Sequence, residues 1–450
     1  MSQSKRPLSE LSNVFGTLSH SPPAPIPTEI EAQSQEPPAE GIVELPEHPT
    51  ISPHTGMVLF PAVRFDGDAG APPWNQPEAD LWEMLLEAPI ELVEERVLDG
   101  SGGVFWARVR LGEALRSCWL KFEDPSDGLQ KRWGEEYQLD EDYALLRREQ
   151  AAYEVVKALG SEDLVPPLVV RDIDPVPLIS DAVRERMARQ LRTSPIEIDE
   201  RLGMAAILQL CPTDADDFVE YWGTLGVSDQ ERWARSSDRL RHSIYRAYAI
   251  DFVLGVQERP LSSYMYNMNT DRLVIPNLQL SFPHPGMTAE AYANQRAKGW
   301  GRKNYSGLDR AASAQPASSW DLPFLLESLS PINVQEALVT FDQVCEALSD
   351  DIALHAGRVL AALDIPLQGI AGFYARMAYL QMESRSVLER PIEFVSNVLV
   401  PLRRGYGADG PTNVNIIEYV NAMIGQISDE GFDFLSIIQE QPADDMPPQQ

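Results

Sequence analysis

Lys121 stands in an apolar, strand-like run, Cys118-Trp119-Leu120-Lys121-Phe122, and Glu149 follows in a helical pattern, Arg147-Arg148-Glu149-Gln150-Ala151. A compact ammonium on the inner side of a strand suits a polyphosphate oxygen, and a carboxylate on the next helix can hold it in position. Ahead of them, Asp99-Gly100-Ser101-Gly102-Gly103 separates two strand-like runs. Gly100, Gly102 and Gly103 let the backbone approach a phosphate closely and offer it N–H donors. The fourth piece is the segment from Asp251 to Phe282, DFVLGVQERPLSSYMYNMNTDRLVIPNLQLSF. A phosphoryl-transfer site requires there a catalytic carboxylate, a polar metal ligand and a second metal carboxylate, within about twenty residues of one another. This chain offers Glu258 with Arg259, then Ser263, then Pro276 with Asn277.

Each piece alone is weak. A glycine-rich hairpin is as often a plain turn, and an isolated helical glutamate is usually a solvated surface group. The order of the four pieces is what joins them. Two of the replacements strike the chemistry directly. Glu258 keeps a carboxylate but extends it by one methylene, and a displacement of about 1 Å can cost roughly a hundredfold in rate. Pro276 has no side-chain oxygen, while Ser263 and Asn277 offer neutral oxygens that bind a hard divalent cation weakly. Because positioning and charge neutralisation dominate phosphoryl transfer, losing metal ligands removes the largest contribution.

These residues need a sheet, a following helix and a helical body to hold them. IELVEERVL, GVFWARVRL and SCWLKFED read as three strands separated by turn residues. Tyr143 to Leu159 then repeats Leu145, Leu146, Ala152, Val155, Val156 and Leu159 at helical spacing. Upstream, MVLFPAVRF predicts a strand and Glu78 to Leu86 a helix; downstream, VPPLVVRDI predicts a strand. Helices are expected over Ser180–Leu191 and Arg239–Leu254, and then over Asn333–Leu348, Ile352–Leu363, Gly369–Gln381, Arg385–Val398 and Ile416–Ile427. The stripe Val334, Leu338, Phe341, Val344 and Leu348 is expected to be core.

The resulting organisation is a Pro/Ser-rich tail over 1–55, a strand-rich N-lobe over 56–175, a helical C-lobe over 176–330 that carries the altered hairpin, a helical region over 331–440 and a short tail over 441–450. The first tail holds too little apolar surface to offset its chain entropy.

With 37 Lys and Arg against 68 Asp and Glu, the net charge is -31. That balance repels phosphate backbones and anionic headgroups, so neither nucleic acid nor a membrane surface is an expected partner. Three widely spaced cysteines, Cys118, Cys211 and Cys345, give no disulfide framework and fit a reducing, cytoplasmic setting. The six histidines lack a spacing that would bring two imidazoles to one zinc ion. No apolar run approaches the roughly 18 residues of a membrane span, and no signal-like segment follows Lys5 and Arg6. Asp214, Asp216 and Asp217 read as a turn or helix cap rather than a cation site. Trp300, in GWGRK, reads as a loop anchor.

Lys121, the stretch REQAAYEVVKALGSEDLVPPLVVRD from Arg148, the hairpin runs DFVLGVQER and VIPNLQLSF, and KGWG at Lys298 to Gly301 resemble the bacterial proteins related to phosphatidylinositol 3- and 4-kinases. The resemblance covers about residues 95 to 305, and its most specific part is the helix-to-VPP stretch. It implies an α+β, two-lobed kinase-like fold with a strand-rich N-lobe and a largely helical C-lobe, here with a C-terminal helical extension. It further implies ATP in the cleft, Lys121 on the α- and β-phosphates and Glu149 as its partner. Where family members resembling active enzymes carry Asp-Arg, this chain has Glu258-Arg259. Ser263 stands for a polar metal ligand, and Pro276 for the metal-loop Asp. Mg²⁺ is therefore not expected to be held well. The expectation is a pseudokinase that serves as a nucleotide-binding or interaction module for a protein partner. The alternatives are a phosphotransferase or nucleotidyl-transferase with a metal site rebuilt from Glu258, Asn277 and Asp271 or Asp251, and a structural component.

Overall fold

The structure, a computed structural model, describes residues 50–51, 58–59, 84–97, 104–122, 144–172, 181–190, 194–196, 205–212, 215–256, 264–286, 331–389, 394–429 and 431–439. The tails expected over 1–55 and 441–450 lie outside these, apart from 50–51, as does the segment around Trp300. Of the predicted upstream helix, residues 84–86 are described and helical.

The described residues form a mixed α+β structure. Strands β1 (Ile90–Val97), β2 (Val104–Leu111) and β3 (Ala114–Phe122) are followed by helix α1 (Ala144–Ala158), strand β4 (Leu168–Asp172), helix α2 (Asp181–Gln190) and strand β5 (Ala205–Leu210). They build one antiparallel five-stranded sheet in the order β1-β2-β3-β5-β4. The turn between β2 and β3 is two residues long, and Gly112 takes a φ of 59° there, as a tight hairpin demands.

Strand periodicity sorts the sheet into two faces. Phe105, Ala107, Cys118, Leu120, Leu208 and Leu210 lie opposite one another in register and are buried on one face. The other face carries Trp106, Trp119, Gln209 and, one pair along, Lys121 with Ile207. β5 is absent from the expectations above. Its run, AAILQL, has no alternation because both of its faces are covered.

The chain continues through β6 (Ala215–Asp217), α3 (Phe218–Thr224), α4 (Asp229–Arg235) and α5 (Asp238–Leu254) to the hairpin β7 (Met265–Asn267) and β8 (Arg272–Val274). The last two strands join β6 in a small antiparallel sheet, order β8-β7-β6. Asp217, from the acidic cluster, caps α3 by accepting the N–H groups of Val219 and Glu220. α5 begins at Ser237, whose side chain accepts from the Leu240 N–H. It ends at Gly255, where a φ of 69° closes the helix in the left-handed conformation.

The C-terminal region is helical, with α6 (Pro331–Ala347), α7 (Asp350–Ala362), α8 (Leu367–Met382), α9 (Ser384–Glu389), α10 (Pro411–Ile424) and α11 (Phe434–Gln439). α8 is buried along its whole middle, Gly369 through Leu380. A helix apolar on every side can survive only as the centre of a cluster, and α8 packs against α5, α6 and α10. Of the expected stripe, Phe341 and Val344 in α6 and Leu348 just past its end are core residues, while Val334 and Leu338 are partly covered.

Of the helix expected over Arg385–Val398, the described parts are α9 and a π-helical turn, Phe394–Leu399, that runs into one α-helical turn, Val400–Arg403; 390–393 lie outside the described residues. The helix expected from Ile416 starts earlier, with Pro411 in its first turn, a position where the missing N–H costs nothing. No helix among the described residues is long and apolar enough to cross a membrane.

Candidate functional site

β3 presents Lys121 on the sheet face away from the main run of core residues, with a paired strand on either side. α1 carries Glu149 beside the buried stripe Leu145, Leu146, Ala152, Val155 and Val156. Burying that stripe turns Glu149 toward the sheet, where it is 1 % exposed. Lys121, 7 % exposed, donates from Nζ to Glu149 Oε1 as a buried ion pair.

Lys121 has a second acceptor. Its Nζ lies 2.8 Å from the carbonyl oxygen of Pro276. That carbonyl is positioned by β8, because the adjacent Ile275 N–H donates to Leu164 O at 2.7 Å. The ammonium thus ties β3, α1 and the loop after β8 into one knot, two of its three N–H donors being taken by the chain itself. Glu149 Oε2, by contrast, is buried without a hydrogen-bond partner among the described residues.

Large side chains occupy the sheet face beside the ammonium. Trp119, two residues before Lys121 and on the same face, is 5 % exposed and packs against Trp106 with ring centroids 6.0 Å apart. The cross-strand neighbour of Trp119 is Gln209, fully buried. The indole Nε1 and the Gln209 Oε1 are both buried without hydrogen-bond partners among the described residues.

Asn277, one residue beyond Pro276, is exposed, and its Oδ1 accepts the Gln279 N–H at 3.3 Å in a local turn. It does not join the Lys121–Glu149 pair. The two acids that a rebuilt metal site would recruit are both engaged by tyrosines. The hydroxyl of Tyr264 donates to Asp251 Oδ2, and the hydroxyl of Tyr266 donates to Asp271 Oδ1 at 2.8 Å. Tyr266 in turn stacks on Tyr221 with centroids 3.5 Å apart. Burial, followed by its bonds to Tyr221 and Asp271, pushes its phenol above the ordinary range. Among the described residues no three His, Cys, Asp or Glu side chains are grouped to hold a metal ion. Gly100, Gly102, Gly103, Glu258, Arg259 and Ser263 lie outside the described residues.

Sequence reasoning missed Arg148, the neighbour of Glu149. It is 3 % exposed and donates to the carbonyls of Ser281 and Phe282 at 2.7 and 2.6 Å. The Phe282 N–H donates to Leu254 O at 2.8 Å. α1 therefore grips the end of the hairpin segment, which in turn is fastened to the end of α5. Nothing in a side-chain pattern announces a bond to a carbonyl.

Cys118 sits in β3 close to Lys121, but burial pushes its thiol up to about 12, so it is no thiolate nucleophile at neutral pH. His284, just past the segment, is shifted the other way. Burial and then the Arg403 guanidinium lower its pKa to about 4, and its Nδ1 accepts the Gly286 N–H at 3.0 Å. Because the folded value lies below the unfolded one, the unfolded chain binds the extra proton between about pH 4 and 6.5. Stability from this group is then complete above about pH 6.5 and is lost as pH falls toward 4, by at most about 3 kcal/mol. His284→Asn, which keeps an acceptor for Gly286, should flatten the fall of the urea midpoint across that window. An unchanged slope would assign the acid sensitivity elsewhere.

No model of a known protein family matches the chain. No curated protein is significantly similar to it.

Proposed function

We propose that this chain is a pseudokinase, built on a two-lobed fold related to phosphatidylinositol 3- and 4-kinases, that works by binding rather than by phosphoryl transfer. The observation that carries the reading is the Pro276 carbonyl on the Lys121 ammonium. The sequence resemblance would put a metal-holding aspartate at that position. This chain instead supplies a neutral backbone oxygen that occupies the very cation meant for phosphate. A strand ammonium paired with a carboxylate on the following helix is the arrangement protein kinases require for activity, which supports the kinase-like origin. Trp119 and Trp106 crowd the same sheet face, Asn277 turns to its own loop, and Tyr264 and Tyr266 hold Asp251 and Asp271. All of these favour a site that has given up a metal–triphosphate complex. The product of the fold is then a surface for a protein partner, with ATP bound weakly at most.

Thermal-shift titration of the full chain with ATP, alone and with Mg²⁺ or Mn²⁺, tests this. A metal–nucleotide complex held at a hundredfold over its Kd would add about 2.7 kcal/mol of stability. The expected outcome is no metal-dependent gain and no transfer of labelled γ-phosphate to protein, lipid or water. A metal-dependent gain that disappears in Lys121→Ala, together with turnover, would overturn the proposal and restore the phosphotransferase.

A further inference from the structure

Away from Lys121, a cavity of about 590 Å³ opens between the loop after α1, the first turns of α5, β8 and α6. That volume falls within the roughly 300–1,000 Å³ of small-molecule sites. Three arginines line it, Arg239 and Arg246 from α5 and Arg272 from β8, in a chain whose net charge is -31.

Two of these guanidiniums share one carboxylate. Arg246 donates to both oxygens of Asp163, at 3.0 and 2.6 Å, and to Gly160 O at 3.2 Å. Arg272 donates to the same Asp163 through one nitrogen. One negative charge between two positive ones leaves the trio with a net charge of plus one. The Arg272 side chain is 35 % exposed and has no other hydrogen bond or ion pair among the described residues, which leaves the rest of its planar fork of donors available. Arg239 is exposed and has no hydrogen bond or ion pair among the described residues. Two further carboxylates line the cavity. Asp238 is bound by Arg241, and Glu162 has a contact of its own. His242 is fixed on the same wall by a 2.8 Å bond between its Nδ1 and Thr340 Oγ1.

We propose that this cavity binds a small metabolite bearing an oxyanion, a phosphate monoester or a carboxylate, through the free fork of Arg272 and the side chain of Arg239. Arg246, held by Asp163 and Gly160, orients Arg272 and adds background charge. Low-dielectric walls around the net positive trio and Arg239 concentrate anions at that end of the cavity, although Glu162 and Asp238 balance the charge of the lining as a whole. The assignment does not depend on the pseudokinase reading, since none of its residues touches Lys121 or Glu149.

Isothermal titration of the full chain with inorganic phosphate and, separately, succinate, against sodium chloride at matched ionic strength, tests it. At least one probe should bind saturably with a dissociation constant of about 1 mM or tighter. Response to phosphate alone would point to a phosphate ester, and response to succinate alone to a carboxylate. Arg239→Gln removes an exposed, unbonded side chain and should leave the fold intact while weakening binding at least tenfold. Arg272→Gln should weaken it further. The double variant Lys121→Met with Glu149→Leu should bind as the parent does. No saturable heat from either probe, affinity untouched by Arg239→Gln and Arg272→Gln, or loss of binding in the Lys121 double variant would each overturn the proposal.

Discussion

Lys121→Met is expected to destabilise the protein by about 3–5 kcal/mol, the usual cost of leaving one member of a buried ion pair uncompensated. The geometry explains why the effect should be at the severe end for a single surface-sized change. Glu149 is 1 % exposed and its Oε2 already lacks a partner, so removal of the ammonium strands the entire carboxylate, and with it the Pro276 carbonyl. Glu149→Leu alone should cost a similar amount, because it abandons Lys121 with a single neutral acceptor. The informative variant is the pair. Replacing both ions by apolar groups of similar volume is often neutral or stabilising, so Lys121→Met with Glu149→Leu should recover most of the stability lost by either alone. Urea denaturation of the four proteins gives the coupling energy directly. Additive losses, with no recovery in the double variant, would mean that the two side chains do not meet.

How this pair was legible, and what was not, follows from the kind of interaction involved. Lys121 is a cation inside the run CWLKF, and Glu149 interrupts no stripe on its helix, so strand and helix periodicity place both without coordinates. The same periodicities locate β1 to β3, α1, α5 and the α6 stripe, because each has one apolar face that must be covered. β5 escaped since a strand buried on both faces reads as an undifferentiated apolar run. The π-helical turn at Phe394–Leu399 was not legible, because its apolar spacing reads as an ordinary helix. Backbone acceptors were invisible throughout. The Pro276 carbonyl on Lys121 and the Ser281 and Phe282 carbonyls on Arg148 depend on where the chain passes, not on which side chain it carries. Proline was read as a lost metal ligand, and its own carbonyl as the replacement occupant of the lysine was beyond any motif.

The same reasoning makes Arg376 the second large lever on the fold. It is the one charged residue in α8, LQGIAGFYARMAYLQM, and it is fully buried. Its Nε donates to Val253 O at 2.8 Å and its Nη2 to Leu254 O at 3.2 Å. These carbonyls belong to the last turn of α5, where a helix leaves acceptors without intrahelical donors and where positive charge is favoured by the helix dipole. Gly255 follows with a φ of 69°, and a Cβ there would lie 2.5 Å from the Arg376 guanidinium carbon. The glycine therefore serves both the left-handed turn and the close approach of the arginine. Arg376→Met keeps much of the volume but removes the donor to the Val253 carbonyl, leaving it buried and unsatisfied at about 1–3 kcal/mol, while Leu254 O keeps the Phe282 N–H. A loss of about 1–3 kcal/mol is expected, and Gly255→Ala should be comparably harmful through steric conflict and the positive φ. Because α5 ends immediately before the segment that carries Glu258 and Arg259, the two variants should behave as one lesion. Combining them should cost clearly less than the sum of the single losses, since the alanine has no guanidinium to strike once methionine is present. Strict additivity in urea denaturation would show that Arg376 and Gly255 act on stability independently, and the lock between α8 and the end of α5 would have to be abandoned.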